Sequence, residues 1–300
     1  MKLRELTKRN KRDEAFSAFV CLLPAILLAV VFIFIPIIFV FYLSFTDWDL
    51  TRVEKNLIGV KNFSYLFTNQ KFQKSIVNTF YFACAKIPLD LILALFLAVL
   101  LDKQIKGRRF FRAAYFAPVI TPLVASSLIW IWLFDPSFGP LNLLLGFFGL
   151  KPIPWLFDQH WAMPSVILFS LWQGLGYDVV IFLAGLQGIP PVYTEAAVID
   201  GANSRQAFFR ITLPILSPVL YFVILIGIIN SFKIFTQIAV MTPDGGPLYS
   251  TGVMVFYIYQ LAFVSFRIGR ASAAAVILFL LILALTAIQR RAGKKYVQVE

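Results

Sequence analysis

Four charged side chains lie inside long apolar runs of this sequence: Lys86, Asp90, Asp178 and Lys233. A Lys or Asp near the centre of a membrane helix costs about 2.5 to 3.5 kcal/mol on insertion scales, so each needs a partner, a water-filled path or a ligand. Lys86 and Asp90 stand four apart, the spacing that brings two side chains onto one face of a helix. They read as a structural ion pair or as a direct substrate contact. Asp178 and Lys233 each fall about five residues from the midpoint of their runs, roughly 7.5 Å at the helical rise, on opposite halves. They are not expected to pair with each other. A proton- or sodium-coupled carrier is one use for Lys86, Asp90 and Asp178.

Sugar recognition is a second use for such residues, because a sugar ring has hydroxyls at its edge and apolar C–H groups on its faces. The fourth apolar run holds Trp172, Gln173, Tyr177 and Asp178, and the fifth holds Asn230, Ser231, Phe232, Lys233, Phe235 and Gln237. Asn230, Lys233 and Gln237 are spaced by three and four, which predicts one helix face too polar for lipid. Gln173, Tyr177, Asn230, Lys233, Phe235 and Gln237 are therefore the candidates for a substrate path. Other chemistry lacks its residues. No GxxxxGK[ST] loop occurs, His160 stands without an HExxH or a Cys/His cluster, and Tyr177-Asp178 is half of an aspartyl intramembrane-protease pattern. Neither a catalytic nor a metal site is expected. Cys21 and Cys84 fall in apolar runs and read as packing residues.

The elements that must position these groups are membrane helices. The chain is 60% hydrophobic and 14% charged, against about 25% charged in soluble domains, and its mean hydropathy is +0.81. A span needs roughly 20 apolar residues, and six runs qualify: 15–45, 75–101, 113–134, 161–186, 215–241 and 271–289. The first is too long for a signal-peptide core and reads as a retained span, with Pro24 and Pro36 placed to kink it. The predicted architecture is all-α, with a basic tail over 1–14, a transmembrane domain over 15–289 and a second tail over 290–300.

The net charge of +12 follows from orientation and not from nucleic-acid binding. Of the 27 Lys and Arg, 17 fall in the two tails and in the second-to-third and fourth-to-fifth connections. By the positive-inside rule both termini and the fourth-to-fifth connection face the cytoplasm. Leu141 to Phe148, in the third connection, reads either as a segment lying flat at the outer surface or as one packed over the bundle.

The fourth-to-fifth connection, about 187–214, reads EAAVIDGANSRQAFFRITLP from Glu195. Pro190-Pro191 can open a helix and Gly201 can close one, leaving Val192, Ala196 and Ile199 on one apolar face. A loop this small has no core of its own, so that face is expected to dock on another protein. Glu195, Ala196, Ala197, Gly201, Leu213 and Pro214, with Asp200 and Ile211 between them, resemble the EAA loop of permease subunits in binding-protein-dependent ATP-binding-cassette (ABC) importers. Gly59-Val60-Lys61-Asn62-Phe63 and the Gly245-Gly246-Pro247 element are similar to segments of the carbohydrate-uptake branch, in the first-permease type of the glycerol-phosphate, lactose and maltose systems. The resemblance runs from Gly59 to Ala274.

That resemblance implies one of two transmembrane subunits of a bacterial importer for a sugar, oligosaccharide or polyol, set in the cytoplasmic membrane. It implies a second, non-identical permease, two copies of an ATPase that bind ATP and Mg, and an external substrate-binding protein. It assigns ATPase coupling to Glu195, Ala196, Ala197, Asp200, Gly201, Ile211, Leu213 and Pro214, and gives this chain no nucleotide site of its own.

Overall fold

Helices make up most of the described part of each apolar run in the computed structural model of the chain, which describes residues 17–49, 55–102 and 107–296. The basic tail over 1–14 and the end of the second tail lie outside the described residues. Helix α1 spans Ser17–Ser44, with a π-helical turn at Val30–Phe34 immediately before Pro36. Such a turn gives the pyrrolidine ring room against the preceding carbonyls. α2 is Lys61–Thr68 and α3 is Gln70–Asp102, which continues through Pro88. α4 (Arg108–Ile120) and α5 (Leu123–Leu133) follow, then the short α6 (Pro140–Phe147) and α7 (Ala162–Gln187). α8 is Pro191–Ile199, α9 is Ser204–Ile215 and α10 is Ser217–Phe232. α11 (Thr236–Met241), α12 (Met254–Val264) and α13 (Ile268–Tyr296) complete the order.

Two of the six expected spans are not single rods. The third bends by 102° between Ile120 and Leu123, where Pro122 cannot donate an N–H and holds Thr121 extended. The fifth ends at Phe232 and resumes at Thr236, so the expectation of a continuous helix over 215–241 is corrected. Four helices among the described residues are long and apolar enough to cross a membrane alone, and six spans result if each bent pair counts as one. The hydrophobic pattern does not report such breaks, because a kinked apolar segment has the same composition as a straight one.

α3 packs along α7 and against α10, while α13 packs on α1, α2 and α10. Near the start of α3, Phe72, Phe82, Val166, Phe232, Ile238 and Met254 form one buried cluster. Toward the other end of α3, Ala94 and Ala98 meet Val179, Phe182, Leu216 and Val223. Small residues at these positions let the helices approach closely, the usual means of association in a membrane. Gly176 shows the same device, since a Cβ there would lie 2.2 Å from the carbonyl oxygen of Tyr115. Helix α1 is different, with only 6% of its apolar window buried; lipid or another chain has to cover it.

α12 was not legible as an element. Met254–Val264 is apolar but too short to cross a membrane, and Val253 and Met254 at its start are fully buried against α3.

Candidate coupling loop and substrate path

Helix α8 opens with Pro190 at its N-cap and Pro191 at N1, where a missing N–H costs nothing. It ends in a Schellman motif. Ala202 N–H donates to Ala197 O at 2.9 Å, Gly201 N–H donates to Val198 O at 3.0 Å, and Gly201 takes the left-handed conformation at φ +79°. Asn203 and Gln206 then form a reciprocal capping box, each backbone N–H meeting the other side chain at 2.9 Å, and start α9. A π-helical turn over Phe208–Thr212 carries the chain to Leu213-Pro214. α9 meets α10 at a 65° bend on Leu216, which is 1% exposed. Of the α8 side chains, Ala197 is buried, whereas Glu195 and Ala196 are exposed. Val192 is 60% exposed and Ile199 is 86% exposed, so the apolar face read from the sequence has no cover within this chain.

Lys86 and Asp90 are paired across one turn of α3, as their spacing predicts. Asp178 joins them from α7, close enough to interact with both charges, and Lys86 Nζ lies 3.8 Å from where a Cβ on Gly174 would stand. One cation therefore faces two carboxyl groups. The sequence shows the i, i+4 pair but not the third member, which depends on the α3–α7 register.

The break after α10 is fixed by its neighbours. Phe232 meets Phe80 edge-on at 5.1 Å, Ile234 is buried, and Phe235 lies 5.0 Å from Tyr259 and 6.4 Å from Phe256. Asn230 and Lys233 are exposed beside these anchors and Gln237 is half-buried. Because the helix ends at Phe232, Gln237 belongs to a different helix from Asn230, and the single polar face expected over 230–237 is corrected. Gln173 is half-buried and Tyr177 exposed on α7. Among the described residues, no hydrogen bond or ion pair uses the side chains of Gln173, Tyr177, Asn230, Lys233 or Gln237. Phe235 belongs to an aromatic cluster, in line with a packing role.

The other two sequence motifs resolve into buttresses. Asn62 donates to Ser44 O at 2.9 Å and Thr46 O at 2.7 Å, closing the end of α1, while Gly59 turns at φ +60°. Asn78, buried on α3, donates to Tyr249 O at 2.9 Å and Gly252 O at 3.0 Å, which holds the Gly245-Gly246-Pro247 turn against the bundle. A cavity of about 340 Å³ beside that turn is lined by Lys74, Asn78, Tyr81, Gln159, His160, Met163 and Ser250. In the third connection, α6 is held by Asn142, whose amide reaches Ile153 O at 2.9 Å and whose carbonyl accepts the indole N–H of Trp155 at 3.0 Å.

A bundle with broken spans and a short, uncovered loop helix has a counterpart among known families. Residues 90–298 match the family described as the binding-protein-dependent transport system inner membrane component. The chain belongs to that family. This permease is similar to the probable ABC transporter permease protein YesP of Bacillus subtilis (strain 168), at 36% identity, covering 97% of this chain and 95% of that one. It is 31% identical to the trehalose/maltose transport system permease protein MalF of Thermococcus litoralis, over 96% and 97% of the two chains. Its fold matches a chain in the crystal structure of a bacterial ABC transporter involved in the import of the acidic polysaccharide alginate. That match has a TM-score of 0.84 and 25% identity and covers 98% of this chain and 100% of that one. The permease is thus a multi-pass membrane subunit of an ABC importer, and the ion-coupled carrier is left without support.

Proposed function

We propose that this permease carries a sugar, oligosaccharide or related polyol across the cytoplasmic membrane, paired with a second, non-identical permease. Two copies of a separate ATPase bind the ATP and Mg, and an external binding protein delivers the substrate. The permease supplies no nucleotide site of its own, and both its termini face the cytoplasm.

Coupling rests on the α8 loop. A short helix with Val192 and Ile199 exposed, locked by a Schellman turn at one end and a capping box just beyond it, is rigid enough to transmit force and apolar enough to need a partner. Glu195 offers a charge to a basic ATPase surface, Ala196 and Ala197 leave room for close approach, and Gly201 makes the turn. Asp200 extends the acidic edge, and Ile211, Leu213 and Pro214 lead into α9. Closure of the ATPase dimer would drive this loop and tilt the permease pair, giving alternating access by rigid-body motion.

The sugar class is supported by the names of the relatives, one a trehalose/maltose permease, and by the alginate importer of the same fold. Gln173, Tyr177, Asn230, Lys233 and Gln237 are the side chains assigned to the path. Co-purification with an ATPase, together with ATP hydrolysis stimulated by the cognate binding protein, tests the coupling reading. A sugar screen on that binding protein tests the substrate class, and a chain purified without any ATPase would refute the assignment.

A further inference from the structure

Lys233 is the one of the four intramembrane charges that the fold leaves alone. Lys86, Asp90 and Asp178 form one cluster, whereas Lys233 is exposed and has no ion pair among the described residues. Its position is not a loose end of the chain. The flanking residues Phe232, 2% exposed, and Ile234, 5% exposed, are both anchored in the core, so the backbone is pinned on either side and the ammonium is turned away from the bundle.

The backbone at Lys233 is also broken. Its N–H bridges Ile229 O and Asn230 O at 3.2 Å each, α10 ends there, and regular helix resumes only at Thr236. Irregular backbone at membrane depth is stable only where protein buries it or water reaches it, and never against lipid tails. A lysine at that point gains from the negative end of the α10 dipole, yet a helix-ending role does not require a charge facing away from its own chain. Beside it, Asn230 offers an exposed, unpartnered amide. A cation with an amide beside it fits a carboxylate or phosphate on a passing ligand.

We propose that the transported carbohydrate is anionic, bearing a carboxylate or phosphate, and that Lys233 is the positive charge that receives it in the path. This rests on the permease reading above. A neutral sugar brings no charge to pair with Lys233.

Two measurements on the assembled complex in liposomes test the proposal. In a background of Cys21→Ser and Cys84→Ser, Asn230→Cys is modified with an anionic and a cationic methanethiosulfonate of similar size, with Lys233 present and with Lys233→Met. An unneutralised lysine in a water-filled path makes the anionic-to-cationic rate ratio fall by about fivefold or more on Lys233→Met. An unchanged ratio means that an acid of the second permease neutralises Lys233, and no modification means that the face meets lipid or protein; either overturns the proposal. In the second arm, binding-protein-dependent uptake compares trigalacturonate with its methyl ester and with maltotriose. Preference for an acid form, lost about tenfold in Lys233→Met and largely kept in Lys233→Arg, is the expected result. Uptake of the neutral sugars that is indifferent to Lys233→Met overturns it. Because ATPase association is scored separately, failure of the charge assignment is distinct from failure of the permease reading.

Discussion

The amide nitrogen of Asn62 lies 2.7 Å from the carbonyl oxygen of Thr46, and through this contact α2 closes the end of α1. The same amide holds Ser44 O, and both Ser44 and Thr46 are fully buried. Asn62 thus satisfies carbonyls that a terminating helix leaves without partners.

Asn62→Ala should therefore destabilise the permease by about 2 kcal/mol or more, since two buried acceptors lose their donor. Asn62→Asp, the same size but without the donor, should be no better. Thermal unfolding midpoints in detergent check this, and an unchanged midpoint in both variants would rule out the clamp.

The charged cluster makes a contrasting prediction. Lys86→Met leaves Asp90, 5% exposed, and Asp178 facing each other without a cation, which should cost about 3 to 5 kcal/mol. Adding Asp90→Leu should recover most of that loss. If the double variant is as unstable as the single one, the cluster has some role other than charge balance.

Gly201 separates turn from interface. Nothing lies within 4 Å of a Cβ built there, so the cost of a side chain is the left-handed backbone, which Asn and Asp accept about equally. Gly201→Asn should retain most transport, while Gly201→Asp places a charge beside the exposed apolar face and should lose it with membrane insertion intact. Equal transport by the two variants would argue against ATPase docking.

Substrate contact is tested by Asn230→Ala and Gln237→Ala. Each should lower uptake per ATP hydrolysed, measured in proteoliposomes with the binding protein. Unaltered uptake in both would assign the path to the partner permease.

Orientation can be read from single cysteines at Ser204 and Gln159, both exposed. Impermeant reagents should label the two from opposite sides of sealed vesicles, and labelling of both from one side would refute the six-span topology.

What the sequence made legible was whatever depends on local spacing. The i, i+4 contact of Lys86 with Asp90, the Pro190-Pro191 start and Gly201 stop of α8, and the locations of the six apolar runs all follow from short-range geometry. Asp178 joining the cluster, the breaks at Thr121 and Lys233, and the use of Asn62 and Asn78 as clamps depend on register between distant helices. Asn78 and Gly252 are 174 positions apart in the chain, and no periodicity relates them. Gln237 shares the face of Asn230 only if a period of 3.6 runs through 233–235, which are not helical.

The bend at Leu216 makes α9 a lever. Its twelve residues, Ser204–Ile215, form an arm about 18 Å long at the helical rise, hinged on a side chain wedged between α7 and α10. A push of roughly 3 Å at the Gly201 end becomes a swing of roughly ten degrees about that hinge, given the same arm length. Because the arm meets α10 at 65° and not in line, a push along it acts more across α10 than along it. Such a load would turn α10 more than it compresses it.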